Sequence, residues 1–348
     1  NVLFSGPTGT AKTASINGML LQGFNPKKYS SVAFAFSAQT TANQTQDIID
    51  GKCDKRKKGV FGPMVGKRYI VFVDDLNMPA LEEYGAQPPI ELLRQWMDHN
   101  GWYDLGDKSF RKIADVQFVA AMGPPGGGRT FITNRYYRHY NLIALPNYSE
   151  KSLTRIFSTI VNYFVKPFSR DIQQLSAGVV SATIGLYYEA GKTLLPTPKK
   201  SHYQFNLRDL SSVIAGMMQV VPAKVSEANT FIKLWYNECA RVFHDRLTDD
   251  DDRFWFNKYM SEQVSKAFSK NWAEVADGPV MFGSFFNLEA DPPPYEEMTD
   301  MVKLKTILNE QLQDYNVTST SPMDLVLFQF ACEHVARIAR CLRQPFGN

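Results

Sequence analysis

Eight consecutive residues near the start of the chain, Gly6-Pro7-Thr8-Gly9-Thr10-Ala11-Lys12-Thr13, are of the types that hold phosphate. In such a loop, successive backbone N–H groups and the N-terminus of the helix that follows cradle the phosphate oxygens. The Lys12 ammonium reaches the β and γ oxygens, and the Thr13 hydroxyl ligates Mg²⁺. The pattern G-x-x-x-x-G-K-[ST] asks for glycine ahead of the lysine, and Ala11 stands there. If the loop needs a positive φ at that position, alanine costs on the order of 1 to 2 kcal/mol that glycine would not. ATP or ADP with Mg²⁺ is the ligand this chemistry implies.

A second stretch, Tyr69-Ile70-Val71-Phe72-Val73-Asp74-Asp75, is an apolar strand that delivers two carboxylates at its end. Asp74 is suited to hold Mg²⁺ through water, and Asp75 to polarise an attacking water. Two acids at a strand end can also simply cap a helix, but the upstream loop favours the metal and base roles.

These residues need a scaffold. Over residues 2–148 short apolar segments at 2–5, 32–36, 68–73, 116–122 and 141–144 alternate with helical patterns at 12–21, 41–51 and 89–100. That alternation predicts a parallel sheet covered on both faces, an α/β fold. Ile90, Leu93, Trp96 and Met97 form a stripe at helical spacing that is expected to be core. Residues 52–58 carry five basic side chains but no interleaved aromatics, which predicts a solvated hairpin and not a nucleic-acid contact.

After residue 148 helical periodicity takes over. Helices are expected over 152–164, 172–190, 227–247 and 257–268, with a turn at 202–210 leading into another. The acidic run 249–252 reads as a solvated turn, because the spaced ligands and glycine of a Ca²⁺ loop are missing. A strand and a proline-rich connection are expected over 278–294, then helices over 295–315 and 322–342. The predicted organisation is a large α/β subdomain (1–148), an all-helical small subdomain (149–277), and a connecting segment with the lead-in helices of a following module (278–348).

At 348 residues, two or more cores are expected. A formal charge of +3 is too small to point to nucleic acid or an acidic membrane surface, and no apolar run spans a bilayer. Cys53, Cys239, Cys332 and Cys341 lack C-x-x-C spacing, which suggests a reducing, intracellular setting. The chain has no initiating Met and closes at Pro345-Phe346-Gly347-Asn348, as a module cut from a longer polypeptide would.

The phosphate loop and acidic strand resemble those of AAA+ ATPases, and the resemblance assigns further roles. In that class the second acid is usually Glu. Asp75 draws the base back by roughly an ångström, which can cost on the order of a hundredfold in rate. The class places a polar residue, commonly Asn, after the strand 116–122, where this chain has Gly123. Arg208, at a helix start in the helical part, would close onto the phosphates unless it is merely paired with Asp209. Arg138, with Arg135 as the alternative, would be the finger presented to a neighbouring module, worth roughly 10³ to 10⁵ in rate to the site it serves. An unfoldase or helicase would need gripping residues where Ser37-Ala38-Gln39-Thr40-Thr41-Ala42-Asn43 stands, and a spacer that binds nothing is the remaining alternative.

Essentially the whole chain resembles one member of that class, the dynein heavy chain, at the third AAA+ module of its ring. The resemblance lies in Asp74-Asp75-Leu76-Asn77-Met78-Pro79, Tyr84-Gly85-Ala86-Gln87, Leu93-Arg94-Gln95-Trp96 and Gly123-Pro124-Pro125-Gly126-Gly127-Gly128-Arg129. It continues in Arg241-Val242-Phe243-His244-Asp245-Arg246-Leu247, Pro279-Val280-Met281-Phe282-Gly283 and the tail with Arg337-Ile338-Ala339-Arg340. The Gly-rich form and Asp75 look axonemal more than cytoplasmic. The resemblance implies a regulatory nucleotide-binding module of a microtubule motor in the axoneme of a cilium or flagellum, with weak or absent hydrolysis. Its direct neighbours would be adjacent AAA+ modules. Intermediate chains, light chains and microtubules would be met through other parts of the parent, with no nucleic acid and no membrane.

Overall fold

The computed structural model describes residues 1–126 and 128–344. Gly127 and Pro345-Phe346-Gly347-Asn348 lie outside the described residues. The chain divides into two compact units, Asn1–Tyr148 and Ser149–Asn348.

The first unit is built on β1 (Val2–Ser5), β2 (Tyr29–Ala35), β5 (Arg68–Asp74), β8 (Val116–Met122) and β9 (Asn141–Ala144). All neighbours pair in parallel, in the order β2-β5-β8-β1-β9. The fold is a parallel α/β sheet with helices, as its apolar strands imply. Five of the seven residues of β5 are buried, because a central parallel strand is covered on both faces. Helices α1 (Lys12–Gly18), α2 (Ala42–Asp50) and α3 (Pro88–His99) connect the strands. The α3 stripe is core: Ile90 and Leu93 are buried against β8 residues such as Phe118, and the Trp96 indole N–H donates to the Ile113 carbonyl at 3.1 Å.

Several boundaries differ from expectation. α1 stops at Gly18 and continues as a π-helical turn, Met19–Gly23, rather than running regularly to residue 21. The basic run forms the hairpin β3 (Asp54–Lys57) and β4 (Val60–Gly62), turning at Gly59. This hairpin belongs to a second, four-stranded sheet with β6 (Gly101–Tyr103) and β7 (Phe110–Ile113), strands too short to show a period in sequence. Arg56 pairs with Asp115 while Lys55 and Lys57 face solvent.

In the first unit, α4 (Asn134–Tyr137) precedes β9; the second unit is helical, with α5 (Glu150–Phe164), α6 (Arg170–Thr193), α7 (Leu207–Met217), α8 (Ala228–Val242) and α9 (Asp250–Phe268). Trp235, Phe231 and Phe256 are fully buried in its core. The acidic run is not a turn. Asp250, Asp251 and Asp252 form the first turn of α9, where carboxylates are favoured by the helix dipole. The Asp249 carboxylate receives the Lys200 ammonium at 2.6 Å, which tethers that start.

Beyond α10 (Trp272–Val275), the strands β10 (Phe282–Gly283) and β11 (Glu296–Glu297) pair antiparallel. The helix expected from residue 295 begins only at Met301, as α11 (Met301–Thr318), because Asp300 caps it through the N–H groups of Val302 and Lys303. The last helix, α12 (Gln329–Arg343), starts seven residues later than expected. Ahead of it the Asn316 side-chain amide donates to the Met323 carbonyl and accepts from the Met323 N–H, both at 2.8 Å, which holds the segment out of a helix. Among the described residues no helix is long and apolar enough to cross a membrane, and all four cysteines are free.

Candidate nucleotide-binding site

The phosphate loop leaves the carboxyl end of β1, and the acidic pair leaves the carboxyl end of β5. β8 lies between the two strands. In open α/β sheets this edge is where ligands bind. Pairing of Ser5 with Met122, and donation by the Gly6 N–H to the Met122 carbonyl at 3.2 Å, bring the loop beside the end of β8.

Ala11 takes the left-handed conformation, φ 59° and ψ 20°, at the N-cap of α1, so the strain foreseen for a non-glycine residue is present. The loop's donors are available for an anion. Among the described residues the N–H groups of Gly9, Thr10, Ala11 and Thr13 make no backbone hydrogen bond, as the start of a helix requires. The Lys12 ammonium curls into the loop, donating to the Gly6 and Pro7 carbonyls, each at 2.7 Å, and contacting the Thr10 hydroxyl at 3.2 Å. Thr10 in turn donates to Pro7 O at 2.9 Å, which closes the loop on itself. Thr8 lies in the same turn.

The Thr13 hydroxyl donates to Asp74 Oδ2 at 2.6 Å, joining the two expected Mg²⁺ groups across 61 residues of sequence. The Asp74 carboxylate is fixed on its other oxygen by the Asp75 N–H at 3.0 Å. Among the described residues no three His, Cys, Asp or Glu side chains cluster closely enough to hold a metal alone. A hydroxyl and one carboxylate suit Mg²⁺, which keeps several waters and takes further oxygens from nucleotide phosphates. The loop donors, Lys12, Thr13 and Asp74 therefore fit a Mg²⁺-nucleotide.

Asp75 and Gly123, the residues expected to bear on turnover, lie at the ends of the neighbouring strands. Asp75 sits at φ 47°, a strained conformation for a residue other than glycine, and its Oδ1 lies 3.4 Å from Arg129 Nη2. Gly123 offers only its carbonyl, which accepts from the buried Asn77 side chain at 2.9 Å. Arg129 was not foreseen as a site residue. The signal lay in the glycines around it: Gly126 and Gly128 have positive φ, which lets the segment reverse and carry Arg129 back to the sheet.

The three arginines sit in different surroundings. Arg138 donates to Asp98 Oδ1 at 2.6 Å, and this hydrogen bond holds the Asp98 carboxyl below the usual carboxylate range. Arg135 is exposed and, among the described residues, has no ion-pair partner. Arg208 is exposed in the first turn of α7, and it is not paired with Asp209. Asp209 is buried, caps the Asn206 N–H at 2.7 Å and accepts from Arg246 Nη2 at 2.6 Å, because it completes the capping box of α7.

Comparison with known proteins agrees with this architecture. Residues 1–148 match the family model described as "P-loop containing dynein motor region", and residues 164–253 match "Dynein heavy chain, ATPase lid domain". The chain is 47% identical over 363 residues to dynein axonemal heavy chain 1 of Mus musculus, covering 100% of this chain and 8% of that relative. It is 45% identical over 362 residues to dynein axonemal heavy chain 3 of Homo sapiens, covering 100% of this chain and 9% of the relative. It is 41% identical over 365 residues to dynein axonemal heavy chain 12 of Mus musculus, covering 12% of it. The chain thus spans a small fraction of the length of the relatives it matches. With a phosphate loop on a parallel sheet, an acidic pair on the neighbouring edge and a lid-type helical unit, the chain belongs to the dynein heavy chain family.

Proposed function

We propose that this chain is the third AAA+ module of an axonemal dynein heavy chain, and that it binds ATP or ADP with Mg²⁺ and hydrolyses it slowly or not at all. The observation that carries the reading is the Thr13–Asp74 link beside the Lys12-bearing loop, a preassembled Mg²⁺-phosphate site. Three departures would weaken turnover while leaving Lys12, Thr13 and Asp74 in place: the strained Ala11, the shortened and paired Asp75, and Gly123, which lacks the side chain that would contact the attacking water.

In this reading the nucleotide supplies the phosphate oxygens and Mg²⁺ supplies charge neutralisation. The chain's own residues hold and orient them: loop N–H groups and Lys12 on the phosphates, Thr13 and Asp74 on the metal. The lid-model match over the stretch containing Arg208 supports its role in closing on the phosphates. Arg138 or Arg135 would serve a neighbouring module. Arg138 must first leave Asp98 to do so, and Arg135 need not. The parent would be an ATP-driven microtubule motor of a cilium or flagellum, with adjacent AAA+ modules as this chain's direct partners. Intermediate chains, light chains and microtubules would be reached through other parts, and residues 278–348 would lead into the following module.

Calorimetric titration of the protein with Mg-ADP and Mg-ATP tests the reading. Saturable binding near one nucleotide per chain is expected. No detectable heat with either nucleotide, checked by equilibrium dialysis, would leave only a structural spacer.

A further inference from the structure

The sheet edge that carries the phosphate loop also carries a cation that nucleotide binding by loop, lysine and metal leaves unused. Arg129 returns to the end of β8 through a tight reversal, in which Gly126 N–H donates to the Arg129 carbonyl at 3.0 Å and Arg129 N–H to the Gly126 carbonyl at 3.2 Å. Its side chain lies where a side chain at position 123 would project. A Cβ built on Gly123 would meet Arg129 Nε at 2.8 Å and Cδ at 2.9 Å. The guanidinium stem thus fills the volume that Gly123 leaves, one residue beyond the Met122 carbonyl that binds the start of the phosphate loop.

The guanidinium is not satisfied there. Among the described residues, Nε is buried without a hydrogen-bond partner. The contact with Asp75 is long, at 3.4 Å, and the Asp75 side chain is 43% exposed, so this pair is weakly held. A planar fork of donors with an unused buried N–H beside a phosphate loop is suited to a doubly charged phosphate oxygen set, to which arginine binds through short, charge-assisted hydrogen bonds.

We propose that Arg129 discriminates nucleoside triphosphate from diphosphate, with its guanidinium standing in for the polar side chain that Gly123 lacks. With a diphosphate bound it stays on Asp75. With a triphosphate bound it turns onto the γ oxygens and leaves Asp75 unpaired. Asp75 and the γ-phosphate then compete for one cation, so the state of the terminal phosphate is converted into the state of the acidic pair. The inference rests on nucleotide binding at this loop and adds which nucleotide is preferred and why.

The test is the ratio of dissociation constants for Mg-ADP and for a non-hydrolysable Mg-ATP analogue, measured by calorimetry on the wild-type chain, Arg129→Gln and Asp75→Asn. Arg129→Gln is expected to lower the preference for the triphosphate about tenfold, the size of one lost charge-assisted contact. Asp75→Asn removes the competitor and is expected to raise that preference. A loop-bracing role alone would move both affinities together and leave the ratio unchanged. An unchanged ratio in Arg129→Gln with ADP still bound overturns the proposal and leaves nucleotide binding standing. Binding of neither nucleotide by the wild-type chain overturns both. If Arg129→Gln does not fold, Asp75→Asn decides: a ratio that stays level or falls is contrary to the proposal.

Discussion

Replacing Lys12 with alanine is expected to weaken binding of both Mg-ADP and Mg-ATP by roughly a hundredfold, about 3 kcal/mol, the upper range for a hydrogen-bonded charge on phosphate. The side chain is poised for that contact. Its ammonium is held by the Gly6 and Pro7 carbonyls at 2.7 Å each, inside the curve of the loop, so little ordering remains to be done when phosphate arrives. Lys12→Arg should not restore affinity, because the loop closes around a compact point charge and a planar guanidinium does not fit the same two carbonyls. Calorimetry on the three proteins checks this, with thermal unfolding to confirm that each is folded. Equal affinities for wild type and Lys12→Ala would remove the loop from the account.

The second large effect is expected far from the phosphate loop, in the helical unit. Glu238 of α8 is fully buried, and its Oε2 accepts two hydrogen bonds from Arg340 of α12, one of them from Nε at 2.8 Å. Its Oε1 accepts from the Tyr295 hydroxyl at 2.8 Å and from Asn237 Nδ2 at 3.0 Å. Burial and the neighbouring Glu238 carboxylate keep the Tyr295 hydroxyl protonated by raising its pKa well above the usual tyrosine value. Arg340 supplies the opposite charge that this buried carboxylate needs, and Tyr295 and Asn237 satisfy its other oxygen.

Arg340→Met would strand it, and a loss of about 3 to 5 kcal/mol is expected. For a unit of this size that is a fall in thermal midpoint of roughly 6 to 20 °C. The double change Glu238→Leu with Arg340→Met should recover most of the loss, since the desolvated charges disappear together. A single variant within about 1 kcal/mol of wild type would mean that α12 is not anchored by this pair. The pair also ties the final helix to α8: α12 cannot leave without exposing or stranding a buried charge.

How far the residues reveal this arrangement depends on the range of the interaction. The five parallel strands were legible because each is apolar on nearly every residue, and the phosphate loop because its chemistry is contiguous. The α2 helix was legible to within a residue at each end, since Thr41 and Gln44 form a capping box in plain sequence. What escaped were features fixed by distant partners. Strands β6 and β7 are only three and four residues long, and they are held by pairing with each other and with β4. The acidic start of α9 looked like a turn because its charges suggest solvent, while the helix dipole and Lys200 make it a helix end.

At the site, the type of each loop residue was legible and the surroundings of Asp75 were not. The left-handed backbone of Asp75 does not follow from local sequence, and neither does its contact with Arg129, which lies 54 residues away in the chain. Arg208 shows the same limit from the other side. Pairing with its neighbour Asp209 was the alternative to closing on the phosphates, but the capping box of α7 and Arg246 claim that carboxylate instead.

The central claim is a nucleotide that is held and turned over slowly or not at all. A single-turnover experiment addresses it most directly: the protein is loaded with ATP labelled at the γ-phosphate in the presence of Mg²⁺, separated from free nucleotide, and quenched at intervals. The account predicts close to one ATP retained per chain, most of it intact after a minute. No retained nucleotide, or release of labelled phosphate at about 1 s⁻¹ or faster, the range of ordinary enzyme turnover, would contradict it.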